Sequence, residues 1–349
     1  MASRLTDRPK LNCFMDFHHY VGIDIAKATL DWAVYSEQGT QLYFQTPNSV
    51  AGVKIGLRNL KALANWQPTK AVFCMEHTGI YNAHLLEYLD KLHLPIWLES
   101  SLQIKQAGGM QRGKTDKVDA QRIAEYAYRF RDRTRLWQPP RPIIRQLAFL
   151  SAARQRVIQV YNQLAGPLDE QDTFVSSTMQ KQVRHSCKAS LAALEKDRKA
   201  LDKQIENLIR QDEHLYELIT LITSVPGIGP ATATEILVTT NELKTVDSPK
   251  KVACHAGVAP FEYRSGSSVR GKTRVSHQAQ KRLKSLFHLG AMSAIQVNGE
   301  LQTYYQRKVA EGKNKMLVLN AVRNKLIHRV YAVVRRGEKY DKFYSLSLA

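Results

Sequence analysis

Asp24 ends the first apolar run of the chain, in Gly22-Ile23-Asp24-Ile25-Ala26-Lys27. With period-two alternation, a carboxylate between isoleucines faces one side of a sheet, where a purely structural protein has little use for a charge. Glu76 repeats the pattern after Ala71-Val72-Phe73-Cys74-Met75. Asp116 and Asp119, in Gly113-Lys114-Thr115-Asp116-Lys117-Val118-Asp119-Ala120, stand three apart at a helix start and share one face. Each acid has an ordinary reading as well: Asp116 as an N-cap, Asp119 as a partner of the helix dipole, Asp24 as a cap on a turn. Glu76, after five apolar residues, resists one. Two strand ends and one helix can converge four acids, and like charges that close are costly unless a cation neutralises them. Hard oxygen ligands suit Mg²⁺ or Mn²⁺, and two such ions can clamp the attacking and leaving oxygens of a phosphodiester. Asp31 lies nearby in the next strand and reads as solvent-facing.

A second chemistry is written further along, in Pro260-Phe261-Glu262-Tyr263-Arg264-Ser265-Gly266-Ser267-Ser268-Val269-Arg270-Gly271-Lys272. Lys250, Lys251, Arg264, Arg270, Lys272, Arg274, Lys281, Arg282 and Lys284 surround this segment, against Glu262 alone. A serine in a glycine loop ringed by guanidinium groups suits attack on a phosphodiester, because arginine binds phosphate bidentately and stabilises charge developing at phosphorus. The same residues also suit simple contact with backbone phosphates, and no base that would activate the hydroxyl stands out.

These residues need elements to hold them. Val21 to Ile25, Leu30 to Tyr35 and Gln41 to Gln45 read as a three-stranded meander. An amphipathic segment over 50–63, a buried strand over 71–75, a helix carrying Leu85, Leu86, Leu89 and Leu92, and a short strand at 96–98 follow. A helix from Asp116 to Phe130 then leads to Gln138-Pro139-Pro140-Arg141-Pro142, which closes the unit. This order predicts an α/β domain with a mixed sheet. From Ile143 the pattern is helical, with a break at Gly166-Pro167. A seven-residue row of Leu194, Leu201, Leu208, Leu215 and Ile222, with Leu191, Arg198, Ile205, Asp212 and Ile219 beside it, fits a coiled-coil arm or one amphipathic helix packed within the chain. The turn Pro226-Gly227-Ile228-Gly229-Pro230 is like that of a helix-hairpin-helix, whose amides face a DNA phosphate, so Gly227 and Gly229 join the predicted nucleic-acid contacts. The remainder is basic and mostly helical. The domain plan is an N-terminal extension over 1–19, an α/β catalytic domain over 20–142, a helical or coiled-coil region over 143–223 and a C-terminal domain over 224–349.

Composition narrows the class of partner. The 349 residues carry 51 Lys and Arg against 31 Asp and Glu, a formal charge of +20, and are 44% hydrophobic. That combination supports a sizeable core and a surface that seeks polyanions. No apolar run is long enough to span a bilayer, the N-terminus lacks the apolar stretch of a signal peptide, and the four cysteines are scattered. The expectation is a soluble, cytoplasmic protein with reduced thiols and nucleic acid as partner. His18-His19 reads as an exposed pair, Tyr304-Tyr305 as core, and the helix Arg323 to Arg336 as a nucleic-acid or solvated face.

The motifs Gly-Ile-Asp-Ile-Ala-Lys at 22–27, Met-Glu-His-Thr-Gly-Ile-Tyr at 75–81 and the block from Gly113 to Ala127 resemble the DEDD transposases of insertion sequences, related to the Piv invertases. The resemblance implies a RuvC-like, RNase H-type first domain whose metal-binding acids match Asp24, Glu76, Asp116 and Asp119. The segment from Ala256 to Ala291 resembles the family's second, transposase domain, and its catalytic serine matches Ser265. Ser267 replaces a frequent glycine and His277-Gln278-Ala279 stands where Lys-x-Gly is common, so Ser267 and Ser268 remain minor candidates. Lys114, Lys117, Arg264, Arg270, Lys272 and Arg274 are the further nucleic-acid contacts. The resemblance also implies donor and target double-stranded DNA, a structured non-coding guide RNA, a phosphoserine intermediate and a homo-oligomer, dimer to tetramer, with sites built from different protomers. A RuvC-like junction endonuclease that hydrolyses DNA with metal and water alone is the alternative, and a non-enzymatic binder is a third reading.

Overall fold

The computed structural model describes residues 16–109, 113, 115–170, 174–265, 269–276 and 279–341. The chain divides after Pro139 into two compact units. The expected close of the first unit at Gln138–Pro142 contains this boundary.

In the first unit β1 (His19–Ile25), β2 (Thr29–Ser36) and β3 (Gly39–Pro47) form the antiparallel meander. Ser49 caps α1 (Val50–Leu60), its hydroxyl accepting from Gly52 N at 3.1 Å. The chain returns through β4 (Ala71–Glu76), parallel to β1, then α2 (Ala83–Lys91) and β5 (Ile96–Glu99), parallel to β4. Two helices close the unit: α3 (Ser101–Ala107), which sequence patterning missed, and α4 (Asp116–Arg129). The strand order β3-β2-β1-β4-β5 makes the mixed sheet that was predicted.

The two faces of the sheet differ. On one, Ile23, Leu30, Trp32, Phe73 and Met75 pack against Val53 and Leu60 of α1 and Leu85 and Leu89 of α2. Burying each such side chain contributes about 1.5–3 kcal/mol. On the other, Tyr20, Val72, Cys74 and Trp97 meet Ile104 of α3 and Ile123 and Ala127 of α4, while Ala33 meets Ala120 and Ala124. Alanine on the helix and glycine on the strand let the two backbones nearly touch. A Cβ added at Gly22 would stand 2.2 Å from Ala124 N and 2.4 Å from Ala120 O.

The second unit is mainly helical. Helix α5 (Pro142–Glu170) and α6 (Ser177–Arg210) run antiparallel, with Arg184 donating to Leu168 O at 2.7 Å and Arg154 paired with Asp202. Helix α5 continues through Gly166-Pro167 to Glu170, against the expected break, although the proline has no N–H to give the carbonyl four residues before it. The seven-residue row does not lie on one helix either. Helix α6 ends at Arg210, and Asp212 caps α7 (Glu213–Thr223) by accepting from Leu215 N at 2.8 Å. Leu208, Leu215 and Ile222 of that row are buried in the unit's own core. Arg198, one of the two charged residues of the companion row, pairs with Glu195 and Asp202 on its own helix.

Helices α8 (Pro230–Thr240) and α9 (Pro249–His255) lead to β6 (Pro260–Ser265) and β7 (Val269–Val275), a two-stranded hairpin where helix and loop were expected. Helices α10 (Lys281–Ala294), α11 (Glu300–Ala310) and α12 (Lys315–Arg336) complete the unit. One core joins Ile144 and Leu147 to Leu237, Phe287 and Leu326, so the regions 143–223 and 224–349 fold together. Among the described residues no helix is long and apolar enough to cross a membrane.

The tight β1–α4 contact is directly testable. Gly22→Val forces α4 off the sheet, and overpacking of this kind costs roughly 1–3 kcal/mol. A melting curve of the Gly22→Val chain should show a lowered transition; an unchanged one would contradict the contact.

Candidate active site

One end of the sheet carries a transverse row of polar side chains on the α4 face. Asp24 is opposite Asp31, Asp31 opposite Gln45, and Glu76 opposite Glu99. The β1–β4 register pairs Ile23 with Met75, and one further step sets Asp24 beside Glu76. The row therefore reads Gln45, Asp31, Asp24, Glu76, Glu99 across five strands.

Helix α4 begins over this row. Its N-cap is Thr115, whose hydroxyl accepts from Val118 N at 3.3 Å, so the cap that sequence allowed for Asp116 is taken by its neighbour. Asp116 is exposed and Asp119 partly buried, the latter held by Arg122 Nη1 at 3.0 Å. The carboxyl of Asp24 is pushed up from its ordinary 3.8 to about 6. Burial is the largest cause, and the charges of Asp119, Asp116 and Glu76 follow in that order. Three of the four sequence-predicted acids thus act through space on the fourth, Asp24. They do not form a closed ligand set: among the described residues no three His, Cys, Asp or Glu side chains stand close enough to hold a metal ion. Mutually repelling carboxylates share a field here, without sharing a coordination sphere.

Two other acids of the row behave differently. Asp31, expected to face solvent, is 1% exposed. Tyr43 Oη donates to it at 2.6 Å and Gln45 Nε2 donates to both its oxygens at 3.1 Å, because β3 covers the outer side of β2. That bond, with Asp31's charge, pushes the Tyr43 hydroxyl up to about 12. Lys117 Nζ rests 5.1 Å above the Tyr43 ring. Glu99 was missed in the sequence, although it too is an acid at the end of an apolar strand. It accepts from Ser100 N at 2.8 Å and from Trp97 Nε1 and Tyr126 Oη, each at 3.2 Å, so its oxygens are already engaged.

In the second unit Ser265 is the last residue of β6 and pairs with Val269. Ser267 and Ser268, like Lys114, lie outside the described residues, and so do the side chains of Arg264, Ser265, Arg270 and Lys272. Arg274, opposite Phe261, is exposed. The segment after the hairpin is anchored firmly: Gln280 N donates to His255 O at 2.9 Å, and Gln280 Nε2 reaches the buried Glu235 at 2.8 Å. Arg282 ion-pairs with Glu235 at 3.0 Å and donates to Ser151 Oγ at 2.7 Å, so this cation serves the fold. The helix turn at 224–229 is also used internally. Gly227 has φ +89°, and a Cβ there would lie 2.4 Å from Gly290 O of α10, whereas Gly229 is exposed at the start of α8.

Several minor expectations change. His19 is buried against Trp66, with ring centroids 5.3 Å apart. On α12, Arg323 is buried and bonded to His288 Nδ1 at 2.6 Å, Arg329 pairs with Glu300, and Arg335 donates to Asp247 O at 2.8 Å. That face is largely committed to its own chain. Tyr304 and Tyr305 pack on the core as expected.

Comparison with known proteins adds the following. A family model described as "Transposase" for DEDD enzymes of IS110 elements matches residues 21–171, and one described as "Transposase IS116/IS110/IS902 family" matches 219–306. The pilin gene-inverting protein of Moraxella lacunata is 27% identical over 93% of this chain and 98% of its own length. An uncharacterized 43.6 kDa protein of insertion element IS110 from Streptomyces coelicolor is 31% identical over 50% of this chain and 42% of its own. The solved structure of T. thermophilus RuvC in complex with Holliday junction substrate covers 32% of this chain and 96% of that one, at 16% identity and a TM-score of 0.25. With both of its halves matched to one family of mobile-element enzymes, the chain belongs to the DEDD transposases of the IS110/IS116/IS902 family.

Proposed function

We propose that the protein is a DNA recombinase that cuts and rejoins strands at the ends of an insertion sequence, using Asp24, Glu76, Asp116 and Asp119 with Ser265. The observation that carries this reading is the convergence of three other carboxylate charges on the half-buried Asp24. Such an arrangement is unfavourable on its own, and its hard oxygen donors suit a divalent cation such as Mg²⁺ or Mn²⁺ as counter-charge. When bound, the ion supplies Lewis-acid stabilisation of charge at a phosphodiester. Asp24, Glu76, Asp116 and Asp119 would hold it, and Thr115 and Gly22 position these acids by fixing α4 on β1.

Ser265 Oγ is the nucleophile in this reading. Its attack forms a serine–phosphorus ester and breaks one phosphorus–oxygen bond of the DNA; the serine gives up its proton and the departing strand oxygen takes one up. A second strand hydroxyl then reverses the exchange on the same phosphorus. Arg264, Arg270, Lys272 and Arg274, with Lys114, Lys117 and Gly229, contact donor and target DNA. The formal charge of +20 leaves ample capacity for a structured guide RNA as well. Function as a homo-oligomer completes the reading.

A covalent-trap experiment tests it. Protein co-expressed with its flanking DNA and the RNA transcribed from it should leave a denaturation-resistant protein–DNA adduct, lost in Ser265→Ala. Asp24→Asn should lose cleavage by at least a hundredfold. Cleaved DNA without adduct, unchanged in Ser265→Ala, would assign hydrolysis by metal and water instead.

The shifted Asp24 gives a second test. Its folded value lies above its ordinary one, so the stability linked to its protonated form is present below about pH 4 and is lost as pH rises through about 6. In metal-free protein, Asp24→Asn should therefore stabilise at pH 8, by about 1 kcal/mol once solvent screening is discounted, and not at pH 4. Melting curves at the two pH values check this. Equal effects at both would contradict the crowding of charge.

A further inference from the structure

The two turns that leave Asp24 and Glu76 belong to different crossings of the sheet, yet one side chain ties them together. Asn48 Nδ2 donates to Ala26 O at 2.8 Å and to Tyr81 O at 3.0 Å. Ala26 is two residues past Asp24, and Tyr81 is five past Glu76. Asn48 is itself fixed: its N–H donates to Ala28 O at 2.8 Å, and the following Ser49 caps α1. Both Nδ2 bonds go to carbonyl oxygens, so only an amide nitrogen facing them fits, and the opposite orientation would set oxygen against oxygen. The Oδ1 atom is buried with no hydrogen-bond partner, an arrangement tolerated for what the nitrogen does.

The second turn is braced from within as well. Asn82, 2% exposed, accepts from Thr78 N at 2.8 Å and Thr78 Oγ1 at 2.6 Å, and donates to Glu76 O at 2.8 Å. It thereby makes residues 76–82 one rigid piece. Gly79, at φ +71°, permits the reversal. A pull on Tyr81 O is therefore transmitted to Glu76, and a pull on Ala26 O to Asp24.

We infer that Asn48 is a positioning residue: a clamp that sets the separation of Asp24 and Glu76 by bridging the turns behind them. This rests on the reading of the four acids as a metal centre, and it adds a residue outside the tetrad on which the centre's geometry depends. Without the clamp the two carboxylates, which repel each other, drift apart, and assembling them around a cation becomes less favourable. Helix α1 keeps its own cap at Ser49, so loss of the Asn48 amide loosens the turns without removing the helix.

The test is Mn²⁺ titration of the full chain by electron paramagnetic resonance, with hydrogen exchange measured on the same samples. Asn48→Asp keeps the shape and replaces the donor with an acceptor; Asn48→Ala removes the amide without adding charge and serves if the first does not fold. The Mn²⁺ dissociation constant should rise at least tenfold in protein that still melts cooperatively, and exchange should quicken in 26–28 and 77–82 together. An unchanged dissociation constant in the folded variant overturns the inference, since a merely structural asparagine would lower only the melting temperature. If wild type binds no Mn²⁺, the metal-centre reading fails, and exchange alone decides the clamp. Faster exchange in both turns retains it as a bridge, and a change confined to 47–49 removes it.

Discussion

A methyl group on residue 22 would stand 2.2 Å from a backbone nitrogen of α4, and this near-contact governs the rest of the first unit. The helix bearing Asp116 and Asp119 reaches the strand end that bears Asp24 only because its axis lies almost on the sheet. Alanines at 120, 124 and 127 keep the helix underside flat, and Ala33 beside Gly22 keeps the sheet flat to match. With the packing set so close, the first turn of α4 is carried over the polar row whether or not the charges favour it. The apolar contacts behind supply the stability, and the carboxylates are held against their own repulsion. Such storage of unfavourable charge in a well-packed frame is what a binding site for a cation requires.

The second unit uses charge in the opposite sense. Arg141, at its start, binds Asp212 at 2.6 and 2.9 Å and Glu242 at 3.0 and 3.1 Å. The guanidinium holds the Asp212 carboxyl down at about 2. Glu242 is buried, sits in a left-handed turn with Asn241 and Leu243, and also receives Lys244 at 2.8 Å. This network joins the start of α5, the α6–α7 junction and the end of α8 at one point. It ties these helix ends together, and its charges are satisfied, in contrast to those around Asp24.

Much of this was legible in the chain. Glu76 stood out because a carboxylate ending an apolar strand has no ordinary use, Asp24 repeated the pattern although it also reads as a turn cap, and the strands carrying them lie within two residues of their β-rich runs. Asp119 and Asp116 were legible as a spacing. Asp31 was misread: strand alternation gives the face, but α4 above it and the Tyr43 and Gln45 side chains of the neighbouring β3 decide whether that face is wet. Glu99 ended its strand in the same way and was passed over because the strand is so short. The seven-residue row misled for a different reason. Periodicity continues across Gln211 and Asp212, while the cap at Asp212 and its bond to Arg141 break the helix there, and a partner 71 residues away leaves no local signal. Asn48 was not legible at all, since an asparagine before a helix looks like an ordinary turn.

The central claim is that the four carboxylates hold one kind of ligand together. The most direct measurement is anomalous diffraction from crystals of the protein grown with Mn²⁺. The account predicts a peak bounded by oxygens of Asp24 and Glu76 and by at least one of the two α4 aspartates. A peak held by α4 alone, or none within reach of Asp24, would contradict it.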